Sequence, residues 1–129
     1  MRLLLDTQCW LWMQAEPARF SAETRKLLLA PDNELYLSAA SSWEIAIKYA
    51  LGKLPLPEPP STYVPSRMQS SGVIGLAIEH AHALHVEGLP PHHRDPFDRL
   101  LIAQAQVEAL PILTSDHALA LYSVTIVTP

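Results

Sequence analysis

The chain has 129 residues, about half of them apolar and 17% charged, which suits one soluble domain, residues 1–129, around one hydrophobic core. Its formal charge of −4 argues against a generic nucleic-acid coat, which is basic, and leaves room for an enzyme that meets phosphates through a cation or for a basic partner. The single cysteine, Cys9, excludes an internal disulfide and a cysteine-based zinc site; no apolar run approaches the ~20 residues of a membrane span, and "MRLLLD" is too short for a signal peptide, so a cytoplasmic location and no membrane partner are expected.

"RLLLD" is a short apolar run closing in a carboxylate, the pattern of a strand buried on both faces. "TQCWLWMQA" follows as a helix stopped near Pro17, with Trp10 and Trp12 serving either the core or an interface. "SAETRKLLLA" reads as a second helix, with Ser21 as its cap and Glu23 in its first turn. "NELYLS" is a second strand. "SSWEIAIKYALGKL" is the clearest helix: Trp43, Ala46, Ile47, Ala50 and Leu51 fall at i, i+3, i+4, i+7 and i+8, and Gly52 closes it. The proline-dense "PLPEPPSTYVP" is a loop and the start of a shorter helix, and "GVIGLAI" is a third strand. "IEHAHALHVEGLP" is helical up to Gly88, and residues 96–109 form a long helix with Pro96 at its first position. "PILTSD" is a fourth strand, "HALALY" a short helix and "SVTIVTP" a last strand. Strands alternating with helices imply right-handed crossovers and an α/β fold whose mainly parallel sheet is covered on both faces.

Each acidic residue of interest has a local explanation. Asp6 suits the N-cap of the helix after the first strand, and Asp95 before Pro96 is a strong N-cap signature. Asp98 gains from the helix dipole, and Asp116 in "LTSD" opens a helix. Glu44 closes a capping box with Ser41 if its helix starts at Ser42; if the helix starts near Ser38, Glu44 lies in the second turn and the box fails. Lys48, one turn on, is placed to pair with it.

Capping does not explain why these acids share an address. Asp6 and Asp116 fall at the carboxyl ends of predicted parallel strands, and Glu44 and Asp98 near the starts of helices that follow sheet connections. That edge is where open α/β sheets bind ligands. Four or five carboxylates converging there repel strongly unless a divalent cation holds them, and Mg²⁺ or Mn²⁺ prefers carboxylate and water oxygens. The joint reading is a metal-dependent phosphodiesterase.

The segments "LLLDT", "SAASSWEIAIKYALGKL", "HHRDPFDRLLIAQA" and "LTSD" occur in the order and spacing of the PIN-domain ribonucleases, and the chain resembles the VapC toxins among them over nearly its whole length. The resemblance implies a three-layer α/β/α fold with an acidic pocket for Mg²⁺ or Mn²⁺. By position, Asp6, Glu44, Asp98 and Asp116 match the four pocket acids. Asp95 matches an acid common in this subgroup, as an auxiliary ligand or a group just behind the ligands. Thr7 and Ser115 are placed to orient a carboxylate or water. The implied reaction is hydrolysis of RNA by a metal-activated water, in the toxin of a type II toxin–antitoxin pair. The implied partners are RNA, a VapB-type antitoxin that brings Arg or Lys to the acids, and a second copy in a homodimer. Arg94 and Arg99 are candidate phosphate contacts, with a solvated surface as the alternative. Gln8 departs from the pattern, standing where relatives often carry His.

Five of the six histidines lie between His80 and His93. In "HAHALH" His82 and His85 share a helical face but His80 does not line up, so a partly exposed face is favoured over zinc. His92 and His93 either touch RNA or shape the loop. Two rival functions stand beside the nuclease. A phosphohydrolase with Asp6 as nucleophile would usually carry a second Asp where Gln8 stands. A non-catalytic PIN-fold binding module has no support while all four pocket acids are present.

Overall fold

Three successive leucines set up the layers. In the structure, a computed structural model describing residues 1–129, Leu3, Leu4 and Leu5 of β1 (Arg2–Leu5) are wholly buried. Side chains alternate across a strand, so Leu3 and Leu5 enter one core and Leu4 the other. Only a strand covered on both faces can bury all three.

Strand β1 pairs in parallel with β2 (Glu34–Ser38) on one side and β4 (Ile112–Leu113) on the other. β2 pairs with β3 (Ile74–Leu76) and β4 with β5 (Ile126–Val127), giving a wholly parallel sheet of order β3-β2-β1-β4-β5. The core with Leu3 and Leu5 takes Trp10 from α1 (Thr7–Ala15), Ile45 from α3 (Ala39–Ala50), and Tyr63 and Val64 from α4 (Pro60–Ser71). Leu27 and Leu28 of α2 (Ala22–Leu29) pack against it. The core with Leu4 takes Leu101, Ile102 and Ala105 from α6 (Pro96–Glu108), with Leu119 and Tyr122. The short α5 (His80–His85) lies against α6 through the His82 Nε2–Glu108 contact of 2.9 Å. The architecture is α/β/α in three layers, as expected.

Both tryptophans of α1 are packing residues. Trp10 is fully buried, and Trp12 stands edge-on to Phe20 with the Arg19 guanidinium 5.0 Å above its ring.

Two helices differ from the sequence pattern. α3 starts at Ala39 because the Ser38 hydroxyl caps it, accepting the Ala40 N–H at 3.0 Å. Its buried face is Ala40, Ser41, Glu44 and Ile45, while Trp43, Ile47 and Leu51 of the regular apolar stripe are exposed by 59%, 37% and 63%. The inner face carries polar groups because it borders the carboxyl edge of the sheet, so the cleaner apolar periodicity marks the outer face. α4 is a full 12-residue helix rather than a short one. Pro60 sits at its first position, where a missing N–H costs nothing, and Pro65 is accommodated inside it.

Strand order reverses at β1: the chain leaves it towards β2 and β3 and returns on its other side with β4. The carboxyl ends of β1 and β4 therefore flank a switch-point crevice.

Candidate metal centre

Asp6 follows β1 directly. Its backbone N–H donates to the Leu113 carbonyl at 3.0 Å, tying the ends of β1 and β4 together. One carboxylate oxygen, Oδ1, accepts the Cys9 N–H at 2.7 Å and so caps α1. Asp116, beyond β4, caps the short 3-10 helix His117–Leu121 by accepting the Ala118 N–H at 2.9 Å. Asp95 caps α6, its Oδ1 accepting from Phe97 N–H at 2.8 Å and Asp98 N–H at 3.4 Å. Glu44 is in the second turn of α3, so no capping box with Ser41 forms; its Oε2 takes Lys48 Nζ at 2.7 Å.

The structure brings Asp6, Glu44, Asp95, Asp98 and Asp116 to one cleft of 320 Å³, with Thr7 and Ser115 on its wall and Lys48 and Lys53 at its side. Thr7 donates from Oγ1 to Ser41 Oγ at 2.9 Å, which links α1 to α3. A larger cavity of 610 Å³ lies along α2, but it is a shallow face lined by Ala22, Arg25, Lys26, Leu29 and Ala30, with no converging acids.

Burial and crowding disturb the acids. Burial, then the nearby Asp95 charge, lift the Asp98 carboxyl to about 7, with Glu44 and Asp116 adding and His93 opposing. Burial also raises Asp6, against hydrogen bonds from Thr114 and Cys9. Partial burial pushes Asp116 upward, but the Ala118 N–H and His93 outweigh it and hold Asp116 below the usual range. Lys48 is held up mainly by its bond to Glu44. Burial pushes the Cys9 thiol well above its ordinary value, so no reactive thiolate borders the cleft. A cleft of oxygen donors whose charges repel fits a hard divalent cation, which would relieve the cost of ionising Asp98.

Sequence reasoning left His93 unassigned. Its Nε2 lies 3.1 Å from Oδ2 of both Asp98 and Asp116, so it joins two of the acids. The available signal was its position two residues before the Asp95 cap, which turns the ring back over the start of α6. His92 stands edge-on to Tyr122 with ring centroids 5.2 Å apart.

The two candidate arginines separate. Arg99 does not face the cleft: its guanidinium donates to the carbonyls of Val86, Leu89, Pro90 and His93 and to the Tyr122 hydroxyl. It clamps the loop before α6, which corrects its reading as a phosphate contact. Its two terminal nitrogens, held in one plane, carry all of these bonds, a task that suits a rigid fork. Arg94 is exposed and lines a groove of 470 Å³ beside the cleft, with Lys48 and Lys53.

The histidines of α5 do not form a cluster. His82 is buried, accepting the Glu79 N–H on Nδ1 at 2.9 Å and meeting Glu108 through Nε2, while His85 meets Gln106 Oε1 at 2.7 Å. His82 is thus a hydrogen-bonded core histidine rather than part of an exposed face.

A family model described as PIN domain matches residues 3–124. Ribonuclease VapC16 of Mycobacterium tuberculosis (strain ATCC 25618 / H37Rv) is 54% identical over 63 residues, covering 49% of this chain and 45% of that protein. The match therefore spans less than half the length of that relative. Among solved structures, VapBC2 from Rickettsia felis bound to a DNA fragment from their promoter superposes with a TM-score of 0.75 at 14% identity, over 100% of this chain and 99% of the other. DNA-bound VapBC from Salmonella typhimurium gives 0.68 at 18% identity, over 99% and 98%. FitAcB from Neisseria gonorrhoeae gives 0.63 at 19% identity, over 96% and 95%. At these identities the structural likeness speaks to the fold.

Proposed function

The chain belongs to the PIN domain family, and on that premise we propose that it is a metal-dependent endoribonuclease, the toxin of a type II toxin–antitoxin pair. The observation that carries this reading is the convergence of Asp6, Glu44, Asp98 and Asp116 on one cleft at the switch point of a parallel sheet. Those four carboxylates would hold Mg²⁺ or Mn²⁺, with Asp95 as an auxiliary. When bound, the ion supplies the positive charge that activates a water and offsets charge developing on the phosphate.

The chain's own residues do the rest. The caps on α1, on α6 and on the 3-10 helix aim three of the acids before any ligand arrives. Lys48 balances Glu44, and Lys53 at the cleft side and Arg94 beside it are the cations available to RNA phosphates. One of the acids accepts the proton lost by the attacking water. Asp6 is only 8% exposed and has one oxygen committed to the Cys9 N–H, which speaks against it as a nucleophile.

The relative named a ribonuclease and the solved VapBC complexes support an RNA substrate and a VapB-type antitoxin. A basic antitoxin segment suits the acidic cleft, and a homodimer and a cytoplasmic location complete the reading. No helix is long and apolar enough to cross a membrane. The test is cleavage of total cellular RNA by the purified chain with Mg²⁺ or Mn²⁺, beside an EDTA control and Asp98→Asn. Discrete cuts lost in both controls are expected. A folded, antitoxin-free protein that cuts nothing under either metal overturns the nuclease reading.

A further inference from the structure

His93 stands against two of the carboxylates through a single ring nitrogen. Its Nε2 stands 3.1 Å from Asp98 Oδ2 and 3.1 Å from Asp116 Oδ2, and these three atoms lie within 4.8 Å of one another. Two readings share those distances. In one, Nε2 is a ligand: an octahedral ion with bonds of about 2.1 Å puts neighbouring donors about 3 Å apart. In the other, Nε2 carries a proton and donates a hydrogen bond to Asp116 Oδ2, with Asp98 Oδ2 alongside.

The far side of the ring decides between them. The Asp95 backbone N–H donates to His93 Nδ1 at 3.1 Å. A nitrogen that accepts an N–H has its lone pair in the ring plane and no proton there. In a neutral imidazole the proton must then sit on Nε2. With its proton on Nε2, the ring has no lone pair to offer an ion. The loop enforces this arrangement through main-chain contacts. The His93 N–H donates to the Tyr122 hydroxyl at 2.8 Å, and the His93 carbonyl accepts from Arg99 at 3.4 Å. Asp95, whose N–H sets the tautomer, is itself fixed as the cap of α6.

We propose that His93 is a positioning residue: its Nε2–H donates to Asp116 Oδ2 and aims that carboxylate into the cleft, with Asp98 Oδ2 held against the same nitrogen, and it is not itself a metal ligand. The need is physical. The Asp116 side chain is 42% exposed, and Asp98 receives no helix-capping bond on its own carboxylate. The Nε2–H bond restricts Asp116, and the same nitrogen stands 3.1 Å from Asp98 Oδ2. This rests on the divalent-ion site of the proposed function.

The tautomer is read without any metal. A long-range ¹H–¹⁵N correlation of the metal-free protein at pH 8, with His93 assigned by its loss in His93→Gln, is expected to show the Nε2–H form. The Nδ1–H form overturns the proposal. The role is read from Mn²⁺ binding, followed by the spin resonance of free Mn²⁺. His93→Gln retains an N–H near the same place and is expected to bind within a few-fold of wild type. His93→Leu is expected to bind roughly 10–100-fold more weakly, the usual cost of removing a group that orients ligands. Both variants keep the main-chain bonds to Tyr122 and Arg99. Pulsed resonance of bound Mn²⁺ is expected to show no imidazole ¹⁴N coupling; a coupling that disappears in His93→Gln overturns the proposal. Equal binding by wild type and His93→Leu overturns the inference alone. Wild type that binds no Mn²⁺ overturns the proposed function, and the inference with it.

Discussion

Asp98→Asn is expected to stabilise the metal-free protein at pH 8, to do so less at pH 5, and to leave it nearly unchanged near pH 3. Burial and the neighbouring acids lift the Asp98 carboxyl from 3.8 to about 7. At about 1.4 kcal/mol for each pH unit, ionised Asp98 is roughly 4 kcal/mol less comfortable in the folded cleft than in the unfolded chain. Its side chain is 24% exposed, so solvent screening trims this to about 1–3 kcal/mol. The sign follows from the raised value. The contribution of Asp98 to stability is full below the ordinary 3.8, declines as the pH rises towards 7, and is lost above it. Asparagine carries no charge and escapes that loss. In EDTA, thermal unfolding followed by circular dichroism should place Asp98→Asn a few to about ten degrees above wild type at pH 8. At pH 5 the unfolded carboxyl is already ionised and the gap should be roughly a third of its full size; the two should coincide only near pH 3, where Asp98 is protonated both folded and unfolded. Adding Mg²⁺ should raise wild type and move the variant much less. If the variant melts at or below wild type at pH 8 by the same margin as near pH 3, the acids are not in electrostatic conflict and the case for a relieving cation loses its physical basis.

Three further outcomes follow from the packing. Arg99→Leu should lose about 2–4 kcal/mol of stability in urea unfolding with neither metal nor RNA present, because it strips donors from loop carbonyls; unchanged stability would return Arg99 to the surface. Ile45→Ala should cost about 2–5 kcal/mol and Ile47→Ala less than about 1 kcal/mol, although the residues are two apart on one helix, since Ile45 is fully buried and Ile47 is 37% exposed. Equal costs would mean that α3 is turned differently. Cys9 should resist a thiol-specific disulfide reagent in the folded protein and react on unfolding; fast reaction in the native state would contradict its burial.

The order of elements was legible because the fold repeats one physical pattern. "RLLLD" and "PILTSD" are apolar runs ending in carboxylates, and a strand buried on both faces needs the first while a ligand edge needs the second. The acids were legible as a group for the same reason: their positions relative to strands and helices predict a common edge. What failed was phase. The stripe from Trp43 to Leu51 obeys helical spacing, yet that face is outermost, because the inner face of α3 must present Ser41 and Glu44 towards the cleft. Function disturbed the pattern on the face that mattered. His93 and Arg99 were hidden differently. Each acts through backbone atoms brought near by a loop, Asp95 N–H for one and four carbonyls for the other, and local spacing says little about loop geometry.

The opposition between capping and metal binding dissolves once the contacts are known. Asp6, Asp95 and Asp116 each accept a helix N–H through Oδ1. A cap occupies one oxygen and leaves the other for a second partner, as at Asp116, whose Oδ2 meets His93 Nε2 at 3.1 Å, so one carboxylate can finish a helix and serve the site. The helix N–H groups also carry partial positive charge, which makes crowding these anions tolerable before a cation arrives. Asp98 has no such cap. It receives the field of α6 without a direct N–H bond to its carboxylate, it faces Asp95 across one turn, and its side-chain partner is His93. The unrelieved charge of the cleft therefore collects on this residue, and Asp98 is where a bound ion returns the most stability.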